Sequence, residues 1–158
     1  MPVIRTCTPC QQKNRVSARH LSASGRCGAC KAELPPLAEP LPVDSALFDE
    51  IIENAAVPVL VDVWADRCGP YRTPAPEVSR TAADMAGKAI VLKLDTEANP
   101  QLSARFQVRG IPNFVVISGG RTSSGRQDWS VIRKWRSGFD QCQFRTLPRV
   151  LRNQLSSS

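Results

Sequence analysis

Val59-Leu60-Val61-Asp62-Val63-Trp64, followed at once by Ala65-Asp66-Arg67-Cys68-Gly69-Pro70-Tyr71, is the stretch on which the fold turns. Together with Pro58, the first six residues are short, β-branched and almost wholly apolar, which predicts a strand buried on both faces. Ala89-Ile90-Val91-Leu92-Lys93-Leu94 reads the same way. Between them, the segment from Cys68 to Gly87 carries Val78, Ala82 and Met85, which fits a crossover helix kinked or started late by Pro74 and Pro76. A right-handed βαβ unit follows. Cys68 then stands where a buried strand passes into a helix. A thiol there faces unpaired backbone N–H groups and the positive end of the helix dipole, both of which favour the thiolate. Arg67 and Arg72 add positive charge if their side chains lie nearby.

Working outward, Asp44 is a good helix N-cap, and Leu47, Phe48, Ile51 and Ile52 recur at helical spacing with Glu50 and Glu53 on the other face. Residues 100–106 predict a second short helix. Phe114-Val115-Val116-Ile117-Ser118 predicts a third strand ending at the turn Gly119-Gly120. Val131 to Trp135 is the expected antiparallel partner of that strand, with Arg121 to Asp128 as a mobile loop between them. Leu147, Val150, Leu151 and Leu155 mark a terminal helix capped by Thr146.

The N-terminal residues 1–34 are poor in large apolar side chains and need a metal to fold. Cys7-Thr8-Pro9-Cys10 and Cys27-Gly28-Ala29-Cys30 are two CxxC knuckles at the separation of a zinc site. Four thiolates around one tetrahedral Zn2+ make a closed structural centre, so one structural zinc is the expected cofactor. Two reducible disulfides or a dinuclear iron–sulfur cluster are the alternatives for the same sulfurs, and His20, between the knuckles, is read as a surface residue. Residues 35–43, with Pro35, Pro36, Pro40 and Pro42, predict an extended linker or edge strand. Residues 44–158 form the main domain.

The chain has 158 residues, 42% hydrophobic and 22% charged, with a formal net charge of +7. That composition suits one ordinary core with a small appendage and argues against disorder in the middle. No apolar run approaches membrane-spanning length, and the opening residues lack the apolar stretch of a secretory signal, so a cytoplasmic protein with no membrane partner is expected. Thiols are kept reduced there, which directs the six cysteines to metal or redox chemistry. The basic residues gather at the two ends and are expected not to be interleaved with exposed aromatics as a stacking platform requires, so nucleic acid is not the expected partner.

With these motifs in view, the chain resembles the thioredoxin family, whose signature is Trp-Ala, two variable positions, then Cys-Gly-Pro-Cys. Asp62, Trp64, Cys68-Gly69-Pro70, Pro76, Lys93 and Gly110-Ile111-Pro112 fall in the family's order, and with the N-terminal ribbon the chain looks most like the second, zinc-binding bacterial type of thioredoxin. The resemblance implies an α/β fold, a central mixed sheet flanked by helices. It further implies a cis Ile111–Pro112 peptide beside the thiol, in a loop that pairs its backbone with an extended substrate. Under it, Cys68, Asp62, Tyr71 and Pro112 are the catalytic positions, and Trp64, Gly69, Pro70, Gly110 and Ile111 line the substrate groove. Cys7, Cys10, Cys27 and Cys30 hold the metal.

This chain departs from the family pattern in three places. Tyr71 occupies the position of the resolving cysteine, Arg67 that of a second tryptophan, and Asn113 that of the threonine after the cis-proline. In the parent mechanism the second thiol expels the product, with the buried carboxylate at Asp62 accepting its proton. Tyr71 cannot do this. The expected activity is therefore monothiol: Cys68 exchanges with protein disulfides or glutathionylated cysteines, and an external thiol or reductase supplies the electrons. Cys142 is the one spare cysteine for an internal resolving role. The alternative is a redox-degenerate peptide-binding module without turnover, which keeps the groove and the ribbon.

Overall fold

The computed structural model describes residues 2–65, 75–108, 110–111, 113–119 and 121–126. Its first part holds two small antiparallel pairs, β1 (Val3–Thr6) with β2 (Lys13–Val16), and β3 (Gly25–Arg26) with β4 (Glu33–Leu34). A 3-10 turn, Ala18–His20, lies between the pairs.

The main sheet has the strand order β5-β7-β6-β8-β9. Its members are β5 (Leu41–Val43), β6 (Val59–Trp64), β7 (Ile90–Asp95), β8 (Asn113–Ser118) and β9 (Arg121–Arg126). β5 and β6 both run parallel to β7, while β8 is antiparallel to β6 and to β9. The sheet is mixed, with β6 well inside it. Residues 41–43 thus supply the edge strand anticipated from the proline-rich stretch, and Pro42 is tolerated because an edge strand needs only one row of ladder bonds.

Alternation along each strand sorts the core onto two faces. Val59, Val61 and Val63 of β6, with Ile90, Leu92, Leu94, Val115 and Ile117, meet α1 (Ser45–Asn54) and α3 (Pro100–Arg105). Leu60, Val91, Phe114 and Val116 face α2 (Ala75–Asp84) through Val78, Ala82 and Met85. α1 starts where the Asp44 carboxylate accepts a hydrogen bond from the backbone N–H of Leu47 at 2.8 Å. It buries Phe48 and Ile51, and Phe48 meets the ring of Phe106 edge-on, 5.5 Å between centroids. The described part of α2 starts at Ala75 and includes Pro76.

The ribbon is not held at a distance. Val3, Ala18, Leu21 and Leu37 belong to the same buried cluster as Phe48 and the sheet. Leu37 donates its N–H to the Leu21 carbonyl at 2.8 Å. Gly87, at φ +81, would place a side chain 3.5 Å from Pro36, so the turn before β7 closes against this segment.

One expectation is corrected. Residues 121–126 are not a mobile loop but the edge strand β9, paired with β8 from Ser118↔Arg121 to Phe114↔Arg126. Gly119, at φ +55, supplies the left-handed corner that a tight connection needs. Arg-Thr-Ser-Ser-Gly-Arg carries no apolar alternation, and backbone hydrogen bonds to β8 are what make it a strand. The expected partner at 131–135 and the terminal helix near 147–155 lie outside the described residues.

Leu21→Ala tests the union of ribbon and sheet. Its side chain is fully buried, so the substitution is expected to cost about 2–5 kcal/mol. In urea unfolding followed by tryptophan fluorescence, the main transition should move to lower denaturant. An unmoved transition would show that the 3-10 turn is no part of the shared core.

Candidate functional site: a four-sulfur centre and a buried carboxylate

The two knuckles are built alike. Cys7 donates its N–H to the Gln12 carbonyl at 2.9 Å, and Cys27 donates to that of Ala32 at 2.9 Å. The residue after each knuckle, Gln11 at φ 57 and Lys31 at φ 63, takes the left-handed conformation without being glycine. Each also reaches back three residues to the turn: Gln11 Nε2 donates to the Thr8 carbonyl at 2.8 Å, and Lys31 Nζ to that of Gly28 at 2.9 Å. These side-chain bonds offset the strain at both corners.

The knuckles bring four sulfurs together. The Sγ atoms of Cys7, Cys10, Cys27 and Cys30 all lie within 4.8 Å of one another. Cys7 and Cys30 are 3.6 Å apart, as are Cys10 and Cys27. A tetrahedral ion with metal–sulfur bonds of about 2.3 Å sets sulfurs roughly 3.8 Å apart, so the donor set fits one such ion. Cys7 and Cys27 are buried, while Cys10 and Cys30 are exposed.

The thiols' own electrostatics point the same way. The backbone N–H of Cys10 favours the Cys7 thiolate, but burial and the neighbouring sulfurs outweigh it and push that thiol up to about 12. Cys27 moves oppositely. The backbone N–H of Cys30 is the largest influence, and with Ala29, Asn14 and Cys10 it overcomes burial and brings the thiol down to about 6. Sulfurs this close cannot all ionise without a cation among them. Asn14, which sequence reasoning missed, joins the two halves. Its Oδ1 accepts from the Gly28 N–H at 2.9 Å, and its Nδ2 lies 3.6 Å from the Cys27 sulfur. Only its place in β2, opposite Arg5 in β1, presents it to the second knuckle.

The second centre lies at the end of β6. Asp62 is 4% exposed, paired in register with Lys93 on one side and Phe114 on the other. By alternation it shares the α2 face with Trp64 and Lys93. Burial raises its carboxyl to about 6, and the Lys93 charge only partly opposes this. The Lys93 ammonium itself stands over the half-buried Trp64 ring, 5.1 Å from its centroid. Gly110 and Ile111 are half-buried in the bend before β8. Asn113, the first residue of β8, is buried on the opposite face, and its Oδ1 has no partner among the described residues. Cys68, Gly69, Pro70, Tyr71, Pro112, Arg67 and Cys142 lie outside the described residues. A groove of about 340 Å³ lined by Phe48, Ile52, Phe106, Val115 and Ile117 opens on the α1 face, away from Asp62.

The thioredoxin family model matches residues 39–135. The chain belongs to the thioredoxin family. Thioredoxin C-3 of Corynebacterium nephridii is 40% identical over 116 residues, 73% of this chain and 79% of that one. Thioredoxin 1 of Chlorobaculum tepidum is 41% identical over 74 residues, 47% of this chain and 73% of its own. Among solved structures, a mutant thioredoxin from Halobacterium salinarum NRC-1 matches with a TM-score of 0.56 at 28% identity. The match covers 63% of this chain and 87% of that one. Spinach chloroplast thioredoxin f, at 21% identity and a TM-score of 0.58 over 64% of this chain and 93% of its own, supports the fold alone. The mixed sheet with helices on both faces is therefore the thioredoxin fold, and the general chemistry of the family is thiol–disulfide exchange.

Asp62 makes a prediction of definite sign. Its folded-state pKa of about 6 stands above the ordinary 3.8, so the native state holds the proton more tightly than the unfolded chain. The resulting destabilisation is complete above pH 6 and vanishes below the ordinary carboxyl value. Asp62→Asn should raise stability at pH 7 by up to roughly 3 kcal/mol, and the gain should fade as the pH is lowered toward 4. Denaturant curves at several pH values read this directly. A gain independent of pH would mean that the carboxyl is not perturbed.

Proposed function

We propose that the chain is a monothiol thioredoxin of the cytoplasm, resembling the second, zinc-binding type, in which Cys68 alone exchanges with disulfides. The observation that carries this reading is the buried Asp62 with its raised carboxyl, set beside Lys93 and Trp64 on the strand that precedes Cys68 in the sequence. A carboxylate held at such cost in the family's redox position is hard to account for in a scaffold that only packs.

In the first step the Cys68 thiolate attacks one sulfur of a protein disulfide or of a glutathionylated cysteine. The substrate's S–S bond breaks, a mixed disulfide with Cys68 forms, and the departing thiolate takes up a proton. Tyr71 has no sulfur for the second step. An external thiol such as glutathione attacks the mixed disulfide, releases the Cys68 thiolate and leaves oxidised in the product disulfide. Trp64, Gly69, Pro70, Gly110, Ile111 and Pro112 form the groove for the substrate chain, and Asp62 is the buried proton-holding group on the strand that precedes Cys68 in the sequence. Among the described residues no helix is long and apolar enough to cross a membrane.

Glutathione-supported reduction of a small glutathione mixed disulfide tests this reading. The expected result is turnover that Cys68→Ser removes and Cys142→Ser leaves in place. Equal rates for the parent and Cys68→Ser would leave the binding-module reading, which Tyr71 itself favours.

Zinc is the ion proposed for the four sulfurs, since it takes a closed tetrahedral thiolate set and does no redox chemistry of its own. Its part is structural, holding the knuckles where few apolar side chains do so. Asn14→Ala, which removes the bridge to Gly28 and Cys27, should lower zinc affinity by about 10–100-fold in competition with a chromophoric chelator. Unchanged affinity would make Asn14 a bystander.

A further inference from the structure

We propose that the outer face of the β1–β2 hairpin is a docking surface for an extended, Asp/Glu-rich segment of another protein. The inference does not depend on the chemistry at Cys68.

Residues 1–34 carry Arg5, Lys13, Arg15, Arg19, Arg26 and Lys31 against the single acid Glu33. Among the described residues no acidic side chain forms an ion pair with any of them, whereas Arg80 pairs with Glu77 and Arg105 with Asp49. The hairpin register decides how these charges are displayed. Val3↔Val16 and Arg5↔Asn14 turn inward, where Val3 joins the core and Asn14 serves the knuckle. Ile4↔Arg15 and Thr6↔Lys13 are the exposed pairs. Ile4, 53% exposed, is the one large apolar side chain left in solvent among the described residues. A lone exposed isoleucine needs no explanation, but this one sits beside cations that pair with no acid among the described residues. On the β3–β4 side of the ribbon, Arg26 and Lys31 line an open hollow of about 590 Å³ with Ser24, Gly25 and the one acid, Glu33.

The backbone favours an extended guest. β1 and β2 pair only with each other among the described residues, so each presents an unpaired outer edge. A segment added as a strand would satisfy those N–H and C=O groups. Its alternate side chains would then reach Arg15, Lys13 and Ile4. Nucleic acid fits less well. Residues 1–47 contain no Phe, Tyr or Trp on which a base could stack, and the aliphatic centre of the patch offers nothing to a phosphate backbone. The surface is also well placed for capture. The Ser22 and Pro36 region of the ribbon abuts Gly87, before the start of β7, whereas Trp64 and Asp95 mark the other end of the sheet. Six strand residues separate the two ends by roughly 20 Å.

The test uses the full-length, zinc-loaded chain and fluorescence anisotropy with a labelled 20-residue Asp/Glu-rich peptide containing two leucines. The controls are its Lys-for-acid counterpart and single- and double-stranded DNA of matched charge. The acidic peptide should bind, salt should weaken it, and Lys13→Glu with Arg15→Glu should reduce affinity on the order of tenfold or more. Reversal of the same charge elsewhere, Arg80→Glu with Arg105→Glu, should have a much smaller effect. Zinc content and the far-ultraviolet spectrum confirm that each variant is folded. Where the hairpin double variant does not fold, Ile4→Ser and Arg15→Gln replace it, with the same expected direction. Absence of peptide binding, equal loss in both double variants, or tighter binding of either DNA would each overturn the proposal.

Discussion

A strand with no solvent on either face constrains everything else in this molecule. β6 lies between β7 and β8, with α1 and α3 below and α2 above, so Val59 to Val63 are all buried. Such a position suits valine and leucine and penalises a carboxylate. Asp62 nevertheless sits there, its proton held up to about pH 6, with the nearest countercharge shared with an indole ring. The burial that stabilises the sheet through its apolar neighbours is what perturbs this group. Stability and chemistry therefore draw on one constraint in opposite directions, as is common where a fold carries a reactive centre.

The ribbon solves a different problem. Cys7, Cys27 and Leu34, with Ala32 against them, form its own buried cluster, too few apolar atoms to order thirty-odd residues. Four sulfurs drawn toward one point replace a core, and two equivalent side-chain bonds, from Gln11 and Lys31, hold the strained corners. Leu21 and Leu37 then carry that order into the main sheet. Loss of an ion held by these sulfurs would accordingly be felt beyond the knuckles, through the residues that also join the core with α1.

Much of this was legible in the residues because the signals were local. Asp44 announces α1, and the continuous apolar runs at 59–64 and 90–94 predict strands covered on both sides. The CxxC spacing foretold the cluster of sulfurs. What escaped depends on partners distant in sequence. β9 is a strand by virtue of the backbone it borders, so Arg121 to Arg126 shows no periodicity to detect. Asn14 acquires its role only when the second knuckle folds across β2. The left-handed Gln11 and Lys31 would have been found by aligning the two knuckles, since each follows its second cysteine with a long polar donor.

The proposal to be tested is that Cys68, which follows β6 in the sequence, is a reactive thiolate. The most direct measurement is the pH dependence of its alkylation by iodoacetamide in the zinc-loaded chain, with Cys142→Ser to leave one free thiol. The predicted result is a single titration below the ordinary thiol value, as a nucleophilic thiolate requires. A thiol that titrates at or above that value, or that does not react in the folded chain, would contradict it.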